Sequence, residues 1–174
     1  MANFNNGATI HYPCLAGPLG KKGLKLVNLL PIRGIFFLME SLMIVMGTNE
    51  TPWLGEGWDG LERSPAGMLY RAARENAWLQ LPPASGGEIK LLLSARPEHA
   101  KAPLRWSVRC GGHRHEGKAL AWNGWVIRCL ALGPVQEGIW LETHNPWSPD
   151  QLYQNGDARQ LGLLVSAICW QPAV

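Results

Sequence analysis

Charge is scarce in this chain: Asp, Glu, Lys and Arg make up 17% of its 174 residues, against roughly 25% in an average soluble protein. Hydrophobic residues reach 47%, so a packed core is expected and wholesale disorder is excluded. The sixteen Lys and Arg are scattered among thirteen Asp and Glu for a net charge of +3. No basic stripe forms, and nucleic acid is therefore not an expected partner. Long apolar runs are missing as well. The cleanest, residues 34–46, contains Glu40 and falls short of the ~20 apolar residues that cross a bilayer. Lys21, Lys22 and Lys25 ahead of that run imitate an export signal. Pro31 and Arg33 interrupt it, however, and no small-x-small cleavage site follows Met46, so a cytoplasmic location is expected.

Chemistry-bearing motifs are equally sparse. Cys14, Cys110, Cys129 and Cys169 lack CxxC spacing and read as reduced thiols, three of them within apolar strand patterns. A Cys110–Cys129 bridge is the sharper alternative. Residues 19–22 imitate a phosphate loop, but Leu15 stands where it needs glycine and Lys22 where it needs Ser or Thr. No serine occupies a G-x-S-x-G elbow. No cofactor and no catalytic residue is expected.

What is present is alternation. From Trp78 to Trp170 short apolar/polar segments are separated by Gly, Pro and Asn turns and seeded with tryptophan, the pattern of antiparallel strands. Residues 104–110 are the clearest: Leu104, Trp106, Val108 and Cys110 share one face, while Arg105, Ser107 and Arg109 share the other. Candidate strands are 67–72, 77–81, 88–94, 104–110, 118–122, 125–132, 138–143 and 161–170. Gly86-Gly87, Gly111-Gly112 and Asn123-Gly124 supply turns, and Asn123-Gly124 predicts a two-residue hairpin of type I′. Ser148-Pro149-Asp150-Gln151 reads as a capping box opening one short helix, with Asn155-Gly156 as its stop. The fold class is therefore all-β, a two-sheet antiparallel sandwich of jelly-roll type with about eight strands. It occupies residues 51–174 and follows a non-sandwich N-terminal arm, 1–50, that is either disordered or one apolar helix. Met39, Met43 and Met46 are all candidate starts, so residues 1–45 are either a native helix or an upstream extension that never folds.

Within a two-residue hairpin Trp122 and Trp125 become cross-strand neighbours. They form either a structural clasp or a platform for a sugar ring, with Asn123, Arg128 or Glu116 reaching its hydroxyls. The ligand-binding candidates are thus Trp122, Asn123, Trp125 and Arg128. His113, His115 and Glu116 lie within four residues, but glycines on both sides mark a solvated hairpin tip, and no metal is expected. Glu56 and Glu62 are a carboxylate pair of the kind glycoside hydrolysis uses, although nothing local aims both at a cleft.

Two motifs frame the body. Residues 55–62, Gly-Glu-Gly-Trp-Asp-Gly-Leu-Glu, precede Ala77-Trp78-Leu79-Gln80-Leu81, and residues 157–162, Asp-Ala-Arg-Gln-Leu-Gly, precede the last strand. Together they resemble β-sandwich accessory modules found beside bacterial glycosyltransferases and envelope-polysaccharide enzymes. The resemblance spans roughly 55–170 and assigns no catalytic residue. It implies a non-catalytic accessory or binding module of bacterial cell-surface polysaccharide metabolism, whose partner is a glycan or a glycosyltransferase-type enzyme. The alternatives are a small sugar-modifying enzyme or hydrolase with a site in a sandwich cleft, and a structural protein-interaction domain.

Overall fold

The computed structural model describes residues 41–173 apart from Asn123. The strands are β1 (Leu42–Val45), β2 (Trp58–Arg63), β3 (Leu69–Arg74), β4 (Asn76–Gln80), β5 (Gly87–Ser94), β6 (Trp106–Cys110), β7 (His113–Glu116), β8 (Val126–Leu132), β9 (Gly138–Thr143) and β10 (Leu161–Pro172). A 3-10 turn at Pro97–Ala100 and one short helix, α1 (Pro149–Tyr153), complete the described elements. Two antiparallel sheets result. The larger runs β2-β3-β10-β5-β8 with β1 also on β10, and the smaller runs β4-β9-β6-β7. From β3 onward the chain passes between sheets at every connection but β6–β7, which brings distant segments together as strand neighbours.

Between the sheets lies a core supplied by both layers, in which Trp106, Trp170, Leu79, Leu91, Ile139 and Leu141 are fully enclosed. Each belongs to a strand whose alternate residues face inward. The expected strands at 88–94, 104–110, 125–132, 138–143 and 161–170 all have counterparts in β5, β6, β8, β9 and β10.

Long β10 organises the larger sheet. One edge pairs with β5 along most of its length; the other pairs with β3 over its first half and with β1 over its second. The changeover occurs at Ser166, within a register shift between Val165 and Ala167. There the Ser166 hydroxyl donates to the carbonyl of Leu69 at 2.8 Å, and the Ser166 carbonyl accepts from the Met46 amide at 3.0 Å. A bulge residue thus holds the ends of β3 and β1 against the same strand.

Several expectations need correction. The sandwich does not begin at residue 51: β1 is a strand of the larger sheet, and Ile44 and Met46 are buried in the core. Expectations for residues 1–40, including the apolar helix, Cys14 and the Lys21-Lys22 segment, lie outside the described residues. Residues 118–122 form no strand. Leu120 makes one bridge to Leu104, and the chain then crosses to the other sheet, where Val126 pairs with Leu93. The type I′ hairpin is thereby excluded, because its two flanks pair with different partners. A two-residue hairpin occurs instead at Gly111-Gly112 between β6 and β7, with Gly111 at a φ of 55°, which glycine adopts without steric penalty. The supposed solvated tip at 113–116 is thus an edge strand.

Ser148 does precede α1 with Pro149 in the first turn, but its side chain makes no cap bond. Its hydroxyl donates to the carbonyl of Asp157 instead, and the helix stops at Gln154 in a left-handed conformation. Cys110, Cys129 and Cys169 are free thiols. Cys110 faces the core while Cys129 is exposed, so the Cys110–Cys129 bridge is not formed.

Candidate functional site

The outward side chains of the smaller sheet follow from its register. Ala77, Leu79, Ile139, Leu141, Trp106 and Val108 point into the core. Their alternates point outward and line up across all four strands. One rung is Trp78–Trp140–Arg109–Arg114; the next is Asn76–Glu142–Ser107–Glu116. Adjacent members of a rung are one strand spacing apart, about 4.8 Å. An aromatic and cationic row therefore runs beside an acidic and polar row, both perpendicular to the strands.

Trp78 and Trp140 are in contact, with ring centroids 5.1 Å apart and planes tilted by 55°. The Arg109 guanidinium lies over the Trp140 ring at 5.5 Å, within cation–π range. Trp78 is closely seated. A Cβ at Gly55 would fall 2.4 Å from its Cδ1, and one at Gly138 would fall 2.8 Å from its Cζ2, so only glycine lets backbone approach the indole from both sides. Trp58 reaches across from the larger sheet and donates its indole N–H to the Trp78 carbonyl at 2.7 Å. Past the Gln80–Gly138 end of β4 and β9 the surface drops into an open cleft of about 390 Å³, lined by Trp53, Trp78, Gln80, Pro82, Gln136 and Glu137.

Glu142 anchors the cationic row. Its Oε1 accepts from Arg109 Nε at 2.6 Å, and its Oε2 accepts from the Ser107 hydroxyl at 3.1 Å and lies 3.3 Å from Arg114 Nε. Burial pushes the Glu142 carboxyl up. Hydrogen bonds from Arg109 and Ser107 and the charges of both arginines outweigh that, and its pKa sits below the ordinary value. The glutamate side chain is only 14% exposed, whereas Arg109 and Arg114 are 45% and 48% exposed. The anion is thus set into the sheet and the cations extend from it into solvent.

Ser107, Glu142 and His144 have the composition of a hydrolytic triad but the wrong wiring. The hydroxyl has one proton, and it is given to Glu142. His144 Nε2 lies 3.1 Å from Ser107 Oγ and 2.8 Å from an Arg114 Nη, which also stands 2.9 Å from Nδ1, so the imidazole is engaged by the guanidinium rather than held ready to take the serine proton. Arg114 Nε also donates to the hydroxyl at 2.9 Å. A nucleophilic serine needs its proton aimed at the imidazole and its oxygen open to substrate. Ser107 is fully buried and its hydrogen-bonding capacity is used up, so it acts as a strut beneath Arg114.

Of the residues expected to bind ligand, Trp125 and Arg128 lie on opposite faces of the larger sheet. Trp122 is 53% exposed. Trp125 is half-buried on the outer face of the larger sheet, 5.7 Å from the Tyr70 ring. That tyrosine donates to Glu62, which also pairs with Arg96 at 3.3 Å. Arg128 is paired opposite core-facing Leu91, so it points between the sheets, on the face away from the Trp125–Tyr70 cluster. Asn123 lies outside the described residues. Glu116 belongs to the smaller sheet, where it pairs with Arg114 at 3.3 Å. His113 and His115 stand opposite Cys110 and Val108, on the other face from Glu116, and no group of three metal-ligating side chains occurs among the described residues. Glu62 is committed to Tyr70 and Arg96, while Glu56 lies in the loop whose carbonyl receives the Trp78 amide. The missed residues Trp78 and Trp140 carried a readable signal: each is the outward member of an alternating strand.

No protein-family model matches the chain, and no curated protein matches it in sequence. Among solved structures it is similar to a family 29 carbohydrate-binding module, with 10% identity, 77% of this chain and 91% of that chain covered, and a TM-score of 0.38. It is also similar to a family 29 module complexed with mannohexaose, with 10% identity, coverage of 76% and 92%, and a TM-score of 0.39. A third similar structure is the cleaved adhesin domain of Lys-gingipain from Porphyromonas gingivalis, with 9% identity, coverage of 78% and 100%, and a TM-score of 0.45.

Proposed function

We propose that the chain is a non-catalytic glycan-binding module, and that the outer face of the smaller sheet holds the sugar. The observation that carries this reading is the Trp78–Trp140 pair, two half-buried indoles in contact on an otherwise polar face and bordered by a cleft. A sugar ring has an apolar C–H face and a rim of hydroxyls, so it needs a flat apolar surface with donors and acceptors beside it. Indole supplies the first; Arg109, Gln80 and Glu137 supply the second. Mounting these groups on strands fixes their positions before the ligand arrives, which lowers the entropic cost of binding. The resemblance of residues 55–62 and 157–162 to envelope-polysaccharide modules supports a bacterial cell-surface glycan as the ligand and a glycosyltransferase-type enzyme as a partner.

The test is an oligosaccharide array read with the full chain and with Trp140→Ala, followed by calorimetry on any hit. Retention by the native chain, lost in the variant while thermal unfolding stays cooperative, is the expected result. An array with no hits, or hits that Trp140→Ala leaves intact, would overturn the reading.

A further inference from the structure

The two rungs on the smaller sheet also specify the direction and the charge of the ligand. Resting on the glycan reading above, we infer that the bound glycan is uncharged and lies across the strands, over Trp78 and Trp140 to the guanidiniums of Arg109 and Arg114.

Direction follows from register. The aromatic members Trp78 and Trp140 are neighbours on β4 and β9, and the same rung continues through Arg109 on β6 and Arg114 on β7. A chain laid along a strand would leave the indoles after one position, because the flanking rungs on β4 and β9 are Asn76 and Glu142 on one side and Gln80 and Gly138 on the other. A chain laid across the strands meets indole, indole, guanidinium and guanidinium in turn. The three strand spacings from β4 to β7 cover about 14 Å, and each spacing is comparable to the length of one hexopyranose unit.

Charge follows from the balance on the face. Arg105, Arg109 and Arg114 are matched by Glu116, Glu142 and, at the cleft, Glu137. Arg109 and Arg114 each pair with Glu142, and Arg114 also pairs with Glu116. A uronate or sulfate arriving here would have to compete with carboxylates already in place and would meet the repulsion of the acidic rung. A hydroxyl has no such conflict, since it both donates and accepts, and the paired rungs offer it both. Glu142 takes the Nε edge of Arg109, leaving the two terminal nitrogens of that guanidinium directed away from the pair. It is therefore a positioning residue for Arg109 and Arg114.

Calorimetry on the full chain tests this with a ladder of neutral oligosaccharides from two to six units and a uronic-acid oligosaccharide of matching length, at low and high salt. Affinity for the neutral series should rise until about four units, the span of one rung, and then level off. It should be insensitive to salt, and the uronic-acid ligand should bind no tighter. Arg109→Ala should weaken neutral binding about tenfold while thermal unfolding stays cooperative. Glu142→Gln should shift selectivity toward the uronic-acid ligand by making the face net positive, a readout that loss of packing alone would not produce. Tighter, salt-sensitive binding of the uronic acid, affinity that stops rising at two units, or indifference to Arg109→Ala would each overturn the inference and leave the glycan reading standing. Binding to no glycan at all would remove both.

Discussion

The indole N–H of Trp58 and the carbonyl of Trp78, 2.7 Å apart, join the two sheets at the rim of the aromatic face. Trp58 lies on β2 of the larger sheet and Trp78 on β4 of the smaller. The same carbonyl accepts from the Gly55 amide, so the strand carrying the candidate platform is held from two directions. Trp58→Phe keeps most of the ring and removes the donor. A loss of about 1 kcal/mol in urea unfolding is expected, with a smaller loss of ligand affinity through the loosened Trp78. An unchanged urea midpoint would show that this bond does not hold the sheets together.

Acid should destabilise the fold by a definite route. Burial pushes the Glu50 carboxyl up, but backbone hydrogen bonds and Arg71 outweigh it and leave its pKa below the ordinary value; Glu142 is lowered similarly. Hydrogen bonds from Arg159 bring Asp157 to about 2. A carboxyl whose folded pKa lies below its unfolded value contributes stability that is complete above about pH 4.5 and disappears as pH falls through the folded value. The melting temperature should therefore be flat above pH 5 and fall below about pH 4. Glu50→Gln should lower stability at pH 7 and flatten the acid limb. A melting temperature that rises on acidification would contradict this account.

Ile44 sits in the core on a strand that precedes the boundary expected from composition. Replacing it with alanine should cost about 2 to 5 kcal/mol, the range for a large-to-small change in a packed interior. Differential scanning calorimetry reads this directly. A cost below about 0.5 kcal/mol would mean that β1 is dispensable to the sandwich.

Trp122 and Trp125 should separate in their effects. Trp125 packs on Tyr70 within the satellite cluster that includes Leu161 and Leu164, so Trp125→Ala should lower the melting temperature. Trp122 is more than half exposed, and Trp122→Ala should leave stability within about 0.5 kcal/mol of the native chain. Neither should change the affinity of a glycan held on the smaller sheet. Loss of glycan retention in Trp122→Ala with the fold intact would move the ligand away from the Trp78–Trp140 pair.

Most of the layered architecture was legible because core strands alternate. Residues 104–110 and 138–143 announce their buried faces in sequence, and both lie where expected. The strands that escaped notice lack that contrast. His113–Glu116 is an edge strand of polar residues, Trp58–Arg63 carries a register shift between Trp58 and Leu61, and Leu42–Val45 is a short apolar run without alternation. The Asn123-Gly124 signal failed for a different reason. A turn dipeptide reports local backbone preference, whereas hairpin formation also requires both flanks to choose each other, and here Leu120 and Val126 take partners on different sheets. The Trp78–Trp140 face was half legible. Alternation shows that each indole points outward, but their adjacency depends on the β4–β9 pairing, which joins residues about sixty positions apart.

Arg128 has a bearing on how copies of the chain behave toward one another. Among the described residues β8 is the terminal strand of its sheet, and the guanidinium of Arg128 is directed toward the gap between layers, where Nε is enclosed without a described partner. An incoming strand that extended the sheet at this margin would strip the remaining water from a cation that has no anion beside it among the described residues. Self-association by lateral annealing is thus opposed at β8, and crowded solutions of the protein are kept from growing ribbons along that margin.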